Sequence, residues 1–266
     1  MKKTFLFCIF TTLLMSASGY AVVLNTGPWR FEVRAAYGTI PFILEIHKNK
    51  KNDYSAKLKN GKETIMLSDI KVTDKLIKIP LQTYEMALEM NPPKDGVMEG
   101  FLIRYNKNPA VKTPVFAIYG ESERFPEDKS KPKIDLTGKW AVTLNDEDLD
   151  EESEGVLIFD QKGNELHGSL LTPTGDYRYM EGFVSGNEFE AASFDGVYNY
   201  LVKGEVKKGK LKARILSSYR VLIEGKKDEK ASLPDAYKQT QVEKLKFQFP
   251  DLQGKKVSLD DPQFKD

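Results

Sequence analysis

The sequence predicts a mainly β chain, an antiparallel meander in two similar halves that form either a barrel or a sandwich. Three observations carry this. From about residue 27 to 226 the text is short alternating or β-branched runs broken by turn residues, the signature of strands in hairpins. The breakers fit tight turns: Asn60-Gly61, Lys162-Gly163-Asn164, Ser185-Gly186-Asn187 and Lys208-Gly209-Lys210. A Gly-x-Trp opens each half, at Gly27-Pro28-Trp29 and at Gly138-Lys139-Trp140.

Taken in order, the chain starts with a targeting signature. Met1-Lys2-Lys3 is basic, residues 4–15 are apolar but short for a bilayer span, and Gly19 and Ala21 make a small-x-small site. This reads as a secretory signal peptide over 1–21, cleaved after Ala21, which places the mature chain in a bacterial periplasm. Cys8 is the one cysteine and lies inside the apolar run, so a lipoprotein is not expected and the mature chain has no thiol.

Strands are read at 40–46, 54–58, 76–79, 84–90 and 98–105. A second set falls at 156–159, 165–171, 177–184, 188–194, 198–206 and 211–216. After each Trp comes an apolar strand, Phe42-Ile43-Leu44-Glu45-Ile46 in one half and Val156-Leu157-Ile158-Phe159 in the other. Then Lys71–Leu76 matches Phe183–Phe189, and Tyr84–Met90 matches Tyr198–Gly204. This is a weak duplication. Neither half covers both faces of its own sheet, so the two are expected to pack together or to share a barrel. The expected division is a first β-rich half at 22–120, a linker at 121–133, a second half at 134–228, a helical connector at 229–246 and a last segment at 247–266. The linker rests on the charged, Pro- and Ser-containing stretch 120–132. Ser232-Leu233-Pro234-Asp235 has capping-box spacing, so a short helix is expected over 236–245.

Composition excludes several chemistries. The 266 residues hold 40 Lys+Arg against 39 Asp+Glu, a net charge of +1 that argues against nucleic acid as a partner. Two histidines and one cysteine do not supply a zinc site, a disulfide scaffold or a self-contained dithiol. The acidic run 146–152 fails the calcium-loop pattern, because Glu151 and Leu157 stand where Gly and Glu are needed. It reads as a solvated hairpin loop. His47 and His167 read as surface or turn residues, and no Gly-x-Ser-x-Gly elbow occurs. The paired Gly-x-Trp is similar to the first strand of lipocalin-type barrels, in which Trp plugs the barrel floor. A Trp packed at a sheet end is the plainer reading. Tyr84, Tyr177, Tyr179, Tyr198 and Tyr200 could line a ligand surface, though cross-strand packing uses the same residues.

The last stretch carries a further resemblance. Phe247-Gln248-Phe249-Pro250-Asp251-Leu252-Gln253-Gly254-Lys255-Lys256-Val257-Ser258-Leu259-Asp260-Asp261 resembles the entry to the thioredoxin-like domain of TlpA/ResA-class periplasmic disulfide reductases. Upstream stretches, among them Gly27–Glu32, Pro93–Gly100, Leu136–Trp140 and Leu233–Tyr237, resemble the β-rich region that precedes that domain in a bacterial subgroup. The resemblance implies an incomplete thioredoxin-like start over 247–266, loosely docked, which stops before the Trp-Cys-x-x-Cys motif. It implies an accessory β-domain of a thiol-disulfide oxidoreductase, inactive alone, with a protein thiol or disulfide client or redox partner in the full-length family. Both redox cysteines of that family are absent. No catalytic, cofactor-binding or metal-binding residue is therefore expected, no cofactor, and no membrane contact beyond the signal peptide. The alternative is a stand-alone periplasmic lipocalin-like binding module for an apolar ligand.

Overall fold

A computed structural model describes residues 23–81, 84–126, 129–234 and 248–264. The signal peptide at 1–21 and the helix expected over 236–245 lie outside the described residues. The chain divides into two compact units. Unit 1 takes the residues up to Ala35, Thr39–Pro126 and Phe194–Asn199; unit 2 takes Ala36–Gly38, Glu127–Ser193 and the chain from Tyr200 onward.

Unit 1 is built on β1 (Gly27–Arg34), β2 (Thr39–Lys48), β3 (Tyr54–Asn60), β4 (Glu63–Val72), β5 (Ile77–Leu81), β6 (Met86–Met90), β7 (Val97–Arg104) and β8 (Val111–Tyr119). Each strand pairs antiparallel with the next, and β8 returns to β1 with Trp29 opposite Tyr119, which closes the barrel. Alternation explains the core. Ile40, Phe42, Leu44 and Ile46 on β2 are fully buried, while Ile43, Glu45 and His47 in the alternate phase are only half-buried. Leu58 on β3, Ile77 and Ile79 on β5, and Leu88 and Met90 on β6 fill the same interior.

Unit 2 repeats the plan with β9 (Gly138–Asp146), β10 (Glu151–Lys162), β11 (Glu165–Thr172), β13 (Met180–Ser185), β14 (Glu188–Phe194), β15 (Asn199–Lys207), β16 (Lys210–Leu216) and β17 (Arg220–Lys227), of which Phe194 at the end of β14 and Asn199 at the start of β15 fall in unit 1. A two-residue strand, β12 (Gly175–Asp176), lies on β11. β9 pairs with both β10 and β17, and β10 also pairs with β11, so these strands close a second ring. Trp140, Leu157, Phe159, Phe189, Tyr200 and Ile223 belong to its core. Inward-facing glycines set the curvature. At Gly182 a Cβ would lie 1.8 Å from the Glu190 carbonyl oxygen, so only hydrogen lets β13 approach β14 this closely.

The two first strands start alike. Gly27 and Gly138 have φ of 113° and 109°, in the region that favours glycine. Two residues on, the Trp29 Nε1–H donates to the Asn25 carbonyl at 2.9 Å and the Trp140 Nε1–H to the Leu136 carbonyl at 2.8 Å. Each indole thus satisfies its one donor four residues upstream while its ring is buried.

Three expectations are corrected. The halves do not share a barrel, and neither forms a sandwich: β8 on β1 and β17 on β9 satisfy both edges of every first strand within its own half. The acidic run is not all loop, because its turn is narrow and Glu151–Glu154 is already strand β10 on β9. The thioredoxin-like start is not found. Among the described residues the chain ends as a two-stranded hairpin of β18 (Gln248–Pro250) and β19 (Lys256–Ser258), then a 3-10 turn at Pro262–Phe264, with no α/β layer. Local chemistry makes that hairpin by itself. The Asp251 carboxylate accepts from the backbone N–H of Gln253 and of Lys255 at 2.9 and 2.8 Å, and Gly254 takes φ of 81°. A turn motif of this kind specifies a hairpin and not the fold around it.

Candidate functional site

The barrel interiors are filled by side chains. In unit 1 the Phe31 and Phe42 rings stack at 5.1 Å, and Phe42 stacks in turn on Phe194 at 3.7 Å and 7°. Asn60, fully buried, holds Phe194 in place: its Nδ2 donates to the Phe194 carbonyl at 2.5 Å and its Oδ1 accepts from the Phe194 N–H at 3.1 Å. Buried Arg124 donates to the same Oδ1 at 3.2 Å and to the Lys59 carbonyl at 2.5 Å. At the other end Trp29 packs against Tyr119, 5.2 Å between centroids. In unit 2 Phe159 meets Phe189 edge-on, Tyr177 meets Tyr200 edge-on, and the Tyr200 hydroxyl donates to the Tyr177 carbonyl.

Grooves open on the strand faces of both units; one of about 620 Å³ in unit 2 runs over β9, β10 and β17 beside Ser232, Leu233 and Pro234. Also in unit 2, β13 to β16 form another of about 620 Å³, a size that suits a small organic ligand. Phe183 forms an apolar wall; Glu190, Lys203, Glu205 and Arg214 supply charge. Lys203 pairs with Glu190 at 2.8 Å, and Lys129 lies 5.3 Å from the Phe183 ring. The sequence places Phe183 there because it occupies the outward phase between inward Gly182 and Val184. In unit 1 a smaller groove of about 310 Å³ runs along β7 and β8, between Phe101 and Phe116. The Arg34 guanidinium sits over Phe116 at 5.1 Å.

Beside the smaller groove is a titrating triad. The Tyr105 hydroxyl donates to Glu89 at 2.6 Å, and Lys78 donates to the Tyr105 oxygen at 2.7 Å and to Glu89 at 3.1 Å. The Tyr105 hydrogen bond, with Lys78 behind it, holds the Glu89 carboxyl below its ordinary range. Hydrogen bonds to Tyr105 and then Glu89 raise Lys78. Partial burial raises Tyr105.

The residues singled out in the sequence do not converge. His47 lies in unit 1, 3.8 Å from Glu45, and His167 lies in unit 2 on β11. Among the described residues there is no group of three His, Cys, Asp or Glu that could hold a metal. In the acidic run, the Asp146 carboxylate accepts from the N–H groups of Asp148 and Leu149, Glu147 faces Arg214, and Asp148 faces Arg220. Of the tyrosines, Tyr177 and Tyr200 meet; Tyr179 and Tyr198 are exposed; Tyr84 sits on the turn before β6. Cys8 lies outside the described residues. Phe101, Tyr105 and Phe183 were not marked by any motif. For Phe101 and Phe183 the signal is an aromatic on the solvent-facing phase of an alternating strand, where polar residues are the rule; Tyr105 lies in the turn after β7.

Closed antiparallel barrels, each begun by a Gly-x-Trp with a buried indole, have a lipocalin-like build and not that of a thioredoxin-like domain. No family model matches the chain, and no curated protein matches it. Among solved structures, it is similar to a protein of unknown function of the DUF3598 family from Nostoc punctiforme PCC 73102, with 10% identity over 77% of this chain and 96% of that one and a TM-score of 0.28. A candidate outer membrane protein from Bacteroides fragilis NCTC 9343 aligns with 11% identity over 76% of this chain and 97% of that one, TM-score 0.26. Transferrin binding protein B from Haemophilus parasuis Hp5 aligns with 11% identity over 70% of this chain and 53% of that one, TM-score 0.24. Similarity at this level transfers no property of those proteins to this chain.

Proposed function

We propose that the chain is an exported binding module of lipocalin-like build, working in the periplasm, whose two barrels are rigid scaffolds. Its ligand has an apolar body and charged groups and sits in the groove on β13 to β16. The observation that carries this is the aromatic wall of Phe183 opposed to Lys203, Glu190 and Arg214 in one depression of about 620 Å³. An apolar body stacks on the ring while the charged ends displace water from groups already held in place by ion pairing. The basic first residues and short apolar run support export.

The test is a titration with anilinonaphthalene sulfonate, an aromatic anion, followed by its fluorescence. Saturable enhancement is expected, with at least a tenfold loss of affinity in Phe183→Ala and in Arg214→Glu. Equal binding by wild type and both variants, or no enhancement, refutes the groove. A second reading, an apolar ligand inside a barrel, requires the packed apolar side chains on the inward rows of β2 and β5 to part for it. A fatty acid that quenches Trp29 or Trp140 and is indifferent to Phe183→Ala would support that reading.

A further inference from the structure

Each barrel closes, yet one strand runs past its partner. β10 pairs with β9 from Glu151 opposite Asp146 to Phe159 opposite Gly138. On its other side it pairs with β11 only from Val156 opposite Leu171 to Lys162 opposite Glu165. Beyond Leu171 the chain leaves that lane. Leu171 and Thr172 take Asp176 and Gly175 as partners, and the Thr172 hydroxyl donates to the Gly175 carbonyl at 2.8 Å, fixing the turn away. Among the described residues no strand replaces it beside Glu151–Glu154, and all four of these residues are exposed. The result is a strand edge roughly 13 Å long, at about 3.3 Å per residue, on which the backbone donors and acceptors of alternate residues have no partner strand among the described residues.

Charge decides what can occupy it. Glu147 and Asp148 are engaged by Arg214 and Arg220. Among the described residues Asp150, Glu151, Glu152 and Glu154 are not ion-paired, and they stand on or beside the open lane. Four like charges along an edge repel a second copy of the same edge. They attract an extended segment rich in Lys and Arg, and alternate side chains of an added strand face them.

We propose that the open edge of β10 at Glu151–Glu154 is a strand-addition site for a basic, extended segment of a partner protein, held by backbone pairing and selected by charge. This surface is separate from the groove of the proposed function.

The experiment titrates the full chain with a Lys-Val-Arg-Val-Lys-Val peptide, with the same peptide N-methylated at alternate residues in each of the two phases, and with its Glu-for-Lys/Arg counterpart. Amide exchange at Glu151–Glu154 is read in parallel. The expected result is saturable binding of the basic peptide and at least tenfold weaker binding when one methylation phase is used but not the other. The Glu151→Gln/Glu152→Gln/Glu154→Gln variant, all exposed and so expected to fold, should also lose at least tenfold, and the amides of Glu151–Glu154 should gain protection. Equal binding of both methylated forms shows charge attraction without pairing and overturns the proposal. So do unchanged affinity in the triple variant, binding of the acidic peptide, dimerisation of the chain through this edge, or no binding at millimolar peptide.

Discussion

Gly182→Ala tests the reasoning about barrel curvature. The added methyl would meet the Glu190 carbonyl oxygen at 1.8 Å and the Ala191 Cα at 2.5 Å. Both are backbone atoms, so no rotamer change relieves the clash, and β13 and β14 must part between Gly182 and Ala191. Overpacking of a filled core costs about 1–3 kcal/mol. Each ladder hydrogen bond weakened adds about 1 kcal/mol. Losing the flexibility of glycine in the unfolded chain returns about 0.5–1 kcal/mol. The net loss is about 3 kcal/mol, which lowers the urea midpoint by about 2 M at a slope of about 1.5 kcal/mol/M. The matched control is Gly163→Ala in the β10–β11 turn, with φ of 61° and nothing within 4 Å of the new Cβ. Left-handed strain alone costs it about 1 kcal/mol. The assay is urea unfolding followed by Trp140 fluorescence in a Trp29→Phe background, so that unit 2 reports alone. A shift in Gly182→Ala no larger than in the control would show that inward glycines do not set the curvature.

Two further outcomes follow from unit 1. Asn60→Ala strands the buried N–H and C=O of Phe194 that its side chain now satisfies, a loss of about 2–4 kcal/mol measurable by Trp29 fluorescence in a Trp140→Phe background; an unchanged midpoint would refute the anchoring role. Glu89 is depressed chiefly by Tyr105, so its contribution to stability is present above the unfolded value of about 4.3 and is lost as pH falls through the lower folded value. In Tyr105→Phe the Glu89 carboxyl resonance should titrate closer to that unfolded value, and an unmoved midpoint would refute the cause. Lys78 is raised, so its contribution is full below about 10.4 and is lost as pH climbs through the higher folded value.

Much of the strand text was legible because hairpins are local. Gly61, just after Asn60, and Lys208-Gly209 are turn residues at positive φ, and the flanking runs alternate between buried and exposed. The strands not read from sequence were β4, β8, β12 and β17, while β1 and β9 were marked only by their Gly-x-Trp; β8 and β17 are the ones that close the rings. β8 carries Pro114 opposite Phe101, a residue that marks a run as doubtful strand, yet the barrel accepts it. The grooves were illegible because a groove is a relation between neighbouring outward side chains on different strands. The misread ending has the same origin: a strongly specified turn at Asp251–Gly254 occurs in many folds.

Local chemistry in the sequence determined that this chain is β-rich, where it turns, and that two segments start with a glycine and a buried-ring tryptophan. Those features act over a few residues, through φ limits, side-chain alternation and hairpin hydrogen bonds. Only the tertiary structure decided that each half closes on itself, that Phe183 faces a charged groove, and that β10 outruns β11. Each depends on which distant strand satisfies a given backbone edge, and that choice is made by the curvature and packing of the whole ring.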